Sequence, residues 1–174
     1  MGRFIYILLM VFVFNTAFAA GNDFEEIDWD SLVPADYQPD AILDQYGDFS
    51  ELADDDPRVQ EIMKELEASY KAAPINEAMD GKRIKLPGFV VPLEGDGKAV
   101  SEFLLVPYYG ACIHVPPPPA NQTVFVSVAS GEAEIRNAFD VVWVSGTLNA
   151  KSFDSDLATA GYQLEAITVE PYEE

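Results

Sequence analysis

From Lys82 onward, apolar and polar residues alternate with a period of two, and the alternation stops on clusters of Gly, Pro and Asp. A period of two places alternate side chains on opposite faces of a strand. The pattern predicts strands over Lys82 to Leu93, Ala99 to Val106, Thr123 to Ala129, Val141 to Asn149 and Gly161 to Val169. In the last of these, Tyr162, Leu164, Ala166 and Thr168 alternate with Gln163, Glu165, Ile167 and Val169. Pro87-Gly88 predicts a bulge or bend in the first strand, because proline cannot donate to a ladder and glycine packs nothing there. Gly95-Asp96-Gly97 is a turn, and residues 130 to 140 form a short irregular or helical connection. Five strands with a longer link between the third and fourth predict a small OB-like barrel, closed or partly open. A β-sandwich is the alternative that spacing leaves open.

The pattern upstream is different. Val59, Ile62, Met63, Leu66 and Tyr70 recur at helical spacing and predict one amphipathic helix from about Pro57 to Ala72. Asp56 suits its N-cap and Pro57 its first position, and Pro74 closes it. Residues 21 to 56 are acidic and aperiodic, with Trp29 and Leu32 as apolar anchors for an extended arm over the core. The expected division is a leader at 1–20, the acidic arm and helix at 21–79, and the β-barrel domain at 80–174. The chain is mainly β.

The first 20 residues match a secretory signal peptide. Arg3 opens it, Phe4 to Phe14 are unbroken apolar, and Ala17-Phe18-Ala19 offers a small-x-small cleavage site. Cleavage near Ala19 or Ala20 would leave a periplasmic protein with no stable membrane insertion, since that apolar run is shorter than the roughly 20 residues a span needs. The formal net charge of -20 argues against nucleic acid and anionic membrane surfaces as partners.

The chemistry that composition allows is concentrated in Phe103 to Gln122, FLLVPYYGACIHVPPPPANQ. It holds the only cysteine, Cys112, and the only histidine, His114. A lone thiol in an oxidising compartment is buried, metal-bound, reactive or paired between chains. Three readings stay open. Thiolate and imidazole two apart on extended backbone share a face and suit zinc, with Glu94, Asp96 or Glu102 as candidates for the missing ligands. A thiol enzyme would use His114 as base, with Asn121 as orienting residue. Alternatively Cys112 packs as a small apolar side chain, His114 holds the loop, and Pro116 to Pro119 form a stiff polyproline ridge. In a binding form of that third reading, Tyr108, Tyr109, Val115, Pro116, Pro117, Pro118, Pro119, Asn121 and Gln122 make a rigid recognition surface that loses little entropy on docking.

The runs PGFVVPLE (Pro87 to Glu94), the GACIHVPPPP segment and VWVSGTL (Val142 to Leu148) resemble an exported bacterial family catalogued as a domain of unknown function. The resemblance covers residues 80 to 170. It brings no enzymatic activity with it. Some members are encoded beside ABC-transporter components in zinc-responsive gene clusters, which implies a periplasmic accessory role with an envelope ABC-transporter component as partner. The expectation is therefore a non-enzymatic interaction protein of envelope transport, linked to zinc homeostasis. A dedicated zinc-binding protein and a Cys-His thiol enzyme are the alternatives, and zinc is the one cofactor in question.

If Cys112 and His114 ligate metal, the reduced protein binds one equivalent of zinc or cobalt, and Cys112→Ser and His114→Ala each abolish it. A flat titration of reduced wild-type protein removes the metal reading.

Overall fold

The computed structural model describes residues 23–38, 44–46, 52–53, 55–93, 99–111, 117–129, 131, 133–135, 137 and 139–172. The expected leader lies outside them. The strands in chain order are β1 (Glu25–Glu26), β2 (Arg83–Pro92), β3 (Ala99–Val100), β4 (Glu102–Val106), β5 (Val124–Val128), β6 (Ala133–Glu134), β7 (Val141–Asn149), β8 (Phe153–Asp154), β9 (Thr159–Ala160) and β10 (Tyr162–Pro171). The one α-helix among the described residues, α1, spans Pro57–Lys71. Among the described residues no helix is long and apolar enough to cross a membrane.

Five of the strands close into a ring of order β2-β4-β5-β10-β7, with β7 returning to β2. All neighbours are antiparallel except β5 and β10, which run parallel. This is the OB-like barrel expected from the strand spacing, and ring closure sets the sandwich alternative aside. β1 lies outside the ring, parallel to the start of β2. The predicted second strand divides at Ser101: β4 enters the barrel, whereas β3 pairs with β6 in a separate two-stranded ribbon.

Alternation fills the barrel. Ile84, Leu86 and Val90 of β2, Phe103 and Leu105 of β4, Val124 and Val126 of β5, Val142, Val144 and Leu148 of β7, and Leu164 and Ala166 of β10 form one buried cluster. Gly146 lets β10 pass close to β7, since a Cβ there would lie 2.2 Å from the Glu165 carbonyl oxygen. A register shift between Ala166 and Thr168 follows on β10. It leaves Ile167 facing outward and 45% exposed.

The expected break at Pro87-Gly88 does not occur. β2 stays in continuous register with β7 from Arg83↔Thr147 to Phe89↔Val141. The reason is parity. Val90 N–H donates towards the β7 side, to Asp140 O, while Lys85 O accepts from Ile27 N on the opposite edge. Pro87 shares the parity of Lys85, so its missing N–H falls on that opposite edge, away from β7. Its carbonyl accepts the Trp29 indole N–H at 2.8 Å. Gly88 makes room for this: a Cβ there would meet Leu105 Cγ at 2.7 Å and Trp29 Cζ2 at 2.9 Å.

The arm is thus an added edge of the barrel, and Leu32 ends it as a fully buried core residue. Burying a leucine contributes about 1.5–3 kcal/mol. Its carbonyl is held by Tyr162, itself completely buried at the start of β10, whose hydroxyl donates to Leu32 O at 2.7 Å. The Tyr162 hydroxyl oxygen in turn accepts from Asn76 N, and Asn76 Nδ2 donates to Ser31 O at 2.9 Å. Burial raises the Tyr162 pKa above its ordinary value. One phenol therefore joins the arm, the link after α1 and the barrel.

α1 begins as expected. Asp56 caps it by accepting from Arg58 N at 2.9 Å, and the Arg58 guanidinium closes on Asp56 Oδ2 at 2.9 Å. Ile62 and Leu66 are buried at the centre of its apolar stripe.

Two outcomes follow for stability. Tyr162→Phe leaves Leu32 O and Asn76 N unsatisfied in the interior and costs about 1–3 kcal/mol, read as a lower urea midpoint with an unchanged slope. Asp56 is drawn down to about 2 by the Arg58 guanidinium and the Arg58 backbone N–H. A depressed folded pKa gives stability present above the unfolded value of about 4 and lost as pH falls through about 2. The stability gap between wild type and Asp56→Ala therefore narrows across that window in acid-unfolding curves.

Candidate functional site: the tyrosine and proline loop between β4 and β5

β4 and β5 are joined by residues 107–123, which contain the motif that the sequence singled out. Its first turn folds back over the outside of the barrel. Gly110 takes φ 80°, a left-handed conformation suited to glycine. The turn drives Ala111 inward to 2% exposure and leaves Tyr108 and Tyr109 outward, at 48% and 72%.

Tyr109 stands on two other aromatic rings. Phe89 of β2 meets it edge-to-face at 6.1 Å and 72°, and Phe139 at 5.7 Å and 67°. Such pairs contribute about 0.5–1.5 kcal/mol beyond burial. Phe139 is the one non-glycine with positive φ among the described residues, at 68°. Left-handed backbone costs a bulky residue about 1–2 kcal/mol. It is held there because Phe139 N donates to Val90 O at 2.8 Å, and Val90 N to Asp140 O at 3.0 Å. Asp140 Oδ2 in turn accepts from Asn137 N at 2.9 Å.

The outer face of β2, β4 and β5 carries a second buried cluster: Val91, Leu104, Val106 and Phe125, with Ala111 from the loop and Ala158 and Ala160 beyond. The β8–β9 hairpin folds across it. Phe153 stacks on Phe125 with centroids 3.8 Å apart and planes 18° apart. In OB-type barrels the second and third strands form the usual ligand platform. Here β4 and β5 occupy those places, and the chain's own hairpin covers the platform.

The loop's exit is pinned by Pro74 and Gly161 and by a bond of its own. Pro118 and Pro119 are buried, and Ala120–Gln122 form a 3₁₀ turn. Asn121, with no exposed surface, donates from Nδ2 to Pro74 O at 2.9 Å. Thr123 Oγ1 donates to Pro119 O at 3.2 Å, and Gly161 N to Ala120 O at 2.7 Å. Asn121 Oδ1 is buried without a hydrogen-bond partner among the described residues. Pro117 and Pro118 face Glu67 and Lys71 of α1 and Ser155 to Thr159 of the hairpin across an open cleft of about 210 Å³. An ion pair between Lys71 Nζ and Asp154 Oδ1, at 3.8 Å, links helix and hairpin on the surface.

The site residues named from the sequence thus divide. Tyr108 and Tyr109 are exposed, Pro117 and Gln122 half-buried, and Pro118, Pro119 and Asn121 buried. Cys112, His114, Val115 and Pro116 lie outside the described residues, as do the candidate ligands Glu94 and Asp96. Glu102 lies exposed on β4 opposite Ser127. Among the described residues no group of three His, Cys, Asp or Glu side chains is placed to hold a metal ion.

A family described as "Protein of unknown function (DUF3299)" matches residues 29–171, which takes in the arm, helix and barrel. The chain belongs to the DUF3299 family. A crystal structure of a DUF3299 family protein from Pseudomonas aeruginosa PAO1 is similar, with 40% sequence identity and a TM-score of 0.62. The similarity covers 87% of this chain and 98% of that one. No curated protein matches the chain.

Three features of this DUF3299 structure escape a reading of the sequence. Phe89 lies in the unbroken apolar run Phe89-Val90-Val91, where alternation cannot say which ring faces out. Phe139 sits in the irregular connection before β7 and carries no local signal for its role. The pairing of Phe125 with Phe153 spans two strands distant in sequence, and only the path of the hairpin brings them together.

Proposed function

We propose that this DUF3299 protein is a non-enzymatic interaction protein of the cell envelope. In this reading the leader is cleaved and the mature chain acts in the periplasm as an accessory of an ABC-transport system linked to zinc. The transport and zinc parts rest on the family resemblance of the GACIHVPPPP segment. The recognition part rests on one observation: a tyrosine at 72% exposure seated on two aromatic rings, at the head of a loop whose far end is pinned into the fold.

That combination favours binding on physical grounds. A rigid aromatic with few rotatable bonds presents large area and loses little entropy when docked. The proline residues that follow add stiffness without needing internal hydrogen bonds. Cys112 and His114 would then serve the loop itself or a metal held within it, which the zinc titration decides.

The test is a photo-crosslinking amino acid introduced at position 108 in cells producing the full chain. The expected adduct is an envelope transporter component, absent when Tyr109→Ala is introduced alongside. Tyr109→Ala alone changes folding stability by no more than about 0.5 kcal/mol beyond the lost aromatic contacts. No adduct from position 108, or an adduct that survives Tyr109→Ala, counts against the loop as a recognition surface.

A further inference from the structure

The ring closes without residues 150 to 161. β7 ends at Asn149, β10 begins at Tyr162, and Gln163 already pairs with Asn149 across the neck of the excursion between them. Both ends of that excursion are fixed. Ala150 N donates to Asp80 Oδ1 at 2.8 Å, and Gly161 N donates to Ala120 O at 2.7 Å and to Thr123 O at 3.2 Å. Gly161 is also boxed in, since a Cβ there would meet Ile75 Cγ2 at 2.6 Å and Ala120 O at 2.7 Å. Gln163 Nε2 bridges the neck by donating to Ser152 O at 3.0 Å.

Beyond these anchors the β8–β9 hairpin carries its own bonds. Phe153 pairs with Ala160 and Asp154 with Thr159, in a two-stranded sheet apart from the barrel's. Ser155 Oγ donates to Ala158 O at 2.9 Å, and Thr159 Oγ1 to Asp154 Oδ1 at 2.6 Å. What the hairpin lays on the barrel is apolar: the Phe153 ring stacked on Phe125, and the methyl groups of Ala158 and Ala160. Apolar contact is non-directional, so it holds the hairpin down without interlocking it. The Lys71–Asp154 pair that links it to α1 has side chains 66% and 68% exposed, and such pairs contribute little. Along the tip, Ser155 to Thr159 border the open cleft against α1 and Pro117-Pro118.

We propose that residues 153 to 160 form a flap that lifts from β4 and β5 about its fixed neck while the barrel stays closed, with Phe153 as the latch. Closed, the flap occupies the face that OB-type barrels offer to ligands. Open, it uncovers Phe125 and the apolar cluster around it. The chain thus controls access to its own platform, and this device does not depend on the recognition reading of Tyr108 to Gln122.

Native-state hydrogen exchange on the full chain, read by mass spectrometry, tests the flap. A ribbon of two short strands does not hold its pairing in water without a platform, so the amides of residues 153 to 160 report lifting. Corrected for intrinsic rates, they exchange at least about 100-fold faster than the paired amides of β7 and β10, because local opening needs less free energy than global unfolding. Phe153→Ala speeds them by a further factor of about ten and leaves β7 and β10 unchanged. The same variant binds more of the apolar dye ANS, as a bared cluster does. Leu157→Ala, at the exposed tip of the hairpin, changes neither reading and serves as the control. Flap and barrel amides that exchange at one rate in the wild-type protein overturn the proposal, whether or not the variant folds. Equal acceleration of flap and barrel by Phe153→Ala overturns it too, since the hairpin then belongs to the barrel's cooperative unit. Fast flap exchange without added dye binding does the same, because the ribbon then frays over a platform that stays covered.

Discussion

The Tyr162 hydroxyl is the point on which the three segments of this protein meet. A phenol buried without exposed surface must satisfy its oxygen inside the protein, and here it does so with Leu32 O and Asn76 N. Those two groups belong to the arm and to the link between helix and barrel. An unsatisfied buried polar group costs roughly 1–3 kcal/mol, so the barrel, arm and link are favoured in one relative arrangement. Asn121 repeats the device one turn away, tying the loop's exit to Pro74 of the same link. The exit of the loop between β4 and β5 is therefore held by a backbone carbonyl of a segment that precedes the barrel.

The second constraint concerns edges and faces. A small barrel whose first strand is long leaves part of that strand's edge unpaired, and unpaired edges invite association. The arm covers the edge with β1 and the Trp29 indole. The β8–β9 hairpin does the same for the outer face of β4 and β5, where Phe153 takes the stacking position on Phe125. With edge and platform both covered by the chain itself, large aromatic exposure shifts to Tyr108 and Tyr109, over a platform built from β2 and the connection before β7.

Much of the scaffold could be read from spacing. The first, third, fourth and fifth barrel strands lie within a residue or two of where alternation places them, and α1 starts at Pro57 with Asp56 as its cap. Pro87-Gly88 misled because a strand with one unpaired edge tolerates a proline whose missing N–H points to that edge. The alternation over Ala99 to Val106 concealed a split at Ser101, since both pieces are extended and only their partners differ. Asn121 was legible as a polar residue at the loop's exit. Its burial against Pro74 was not, because that carbonyl lies 47 residues away in sequence.

By itself the sequence determined the local states of the chain: strand or helix, the cap, the barrel class, and the segment where unusual chemistry is concentrated. Those depend on side-chain periodicity and on backbone restrictions within a few residues, which any short window contains. Tertiary structure alone decided which groups became neighbours across long separations. It closed β2 against β7, sealed the outer platform with Phe153, and held Phe139 left-handed against Tyr109. These are outcomes of packing and of satisfying buried polar groups across the whole barrel, and neither is encoded in a local pattern.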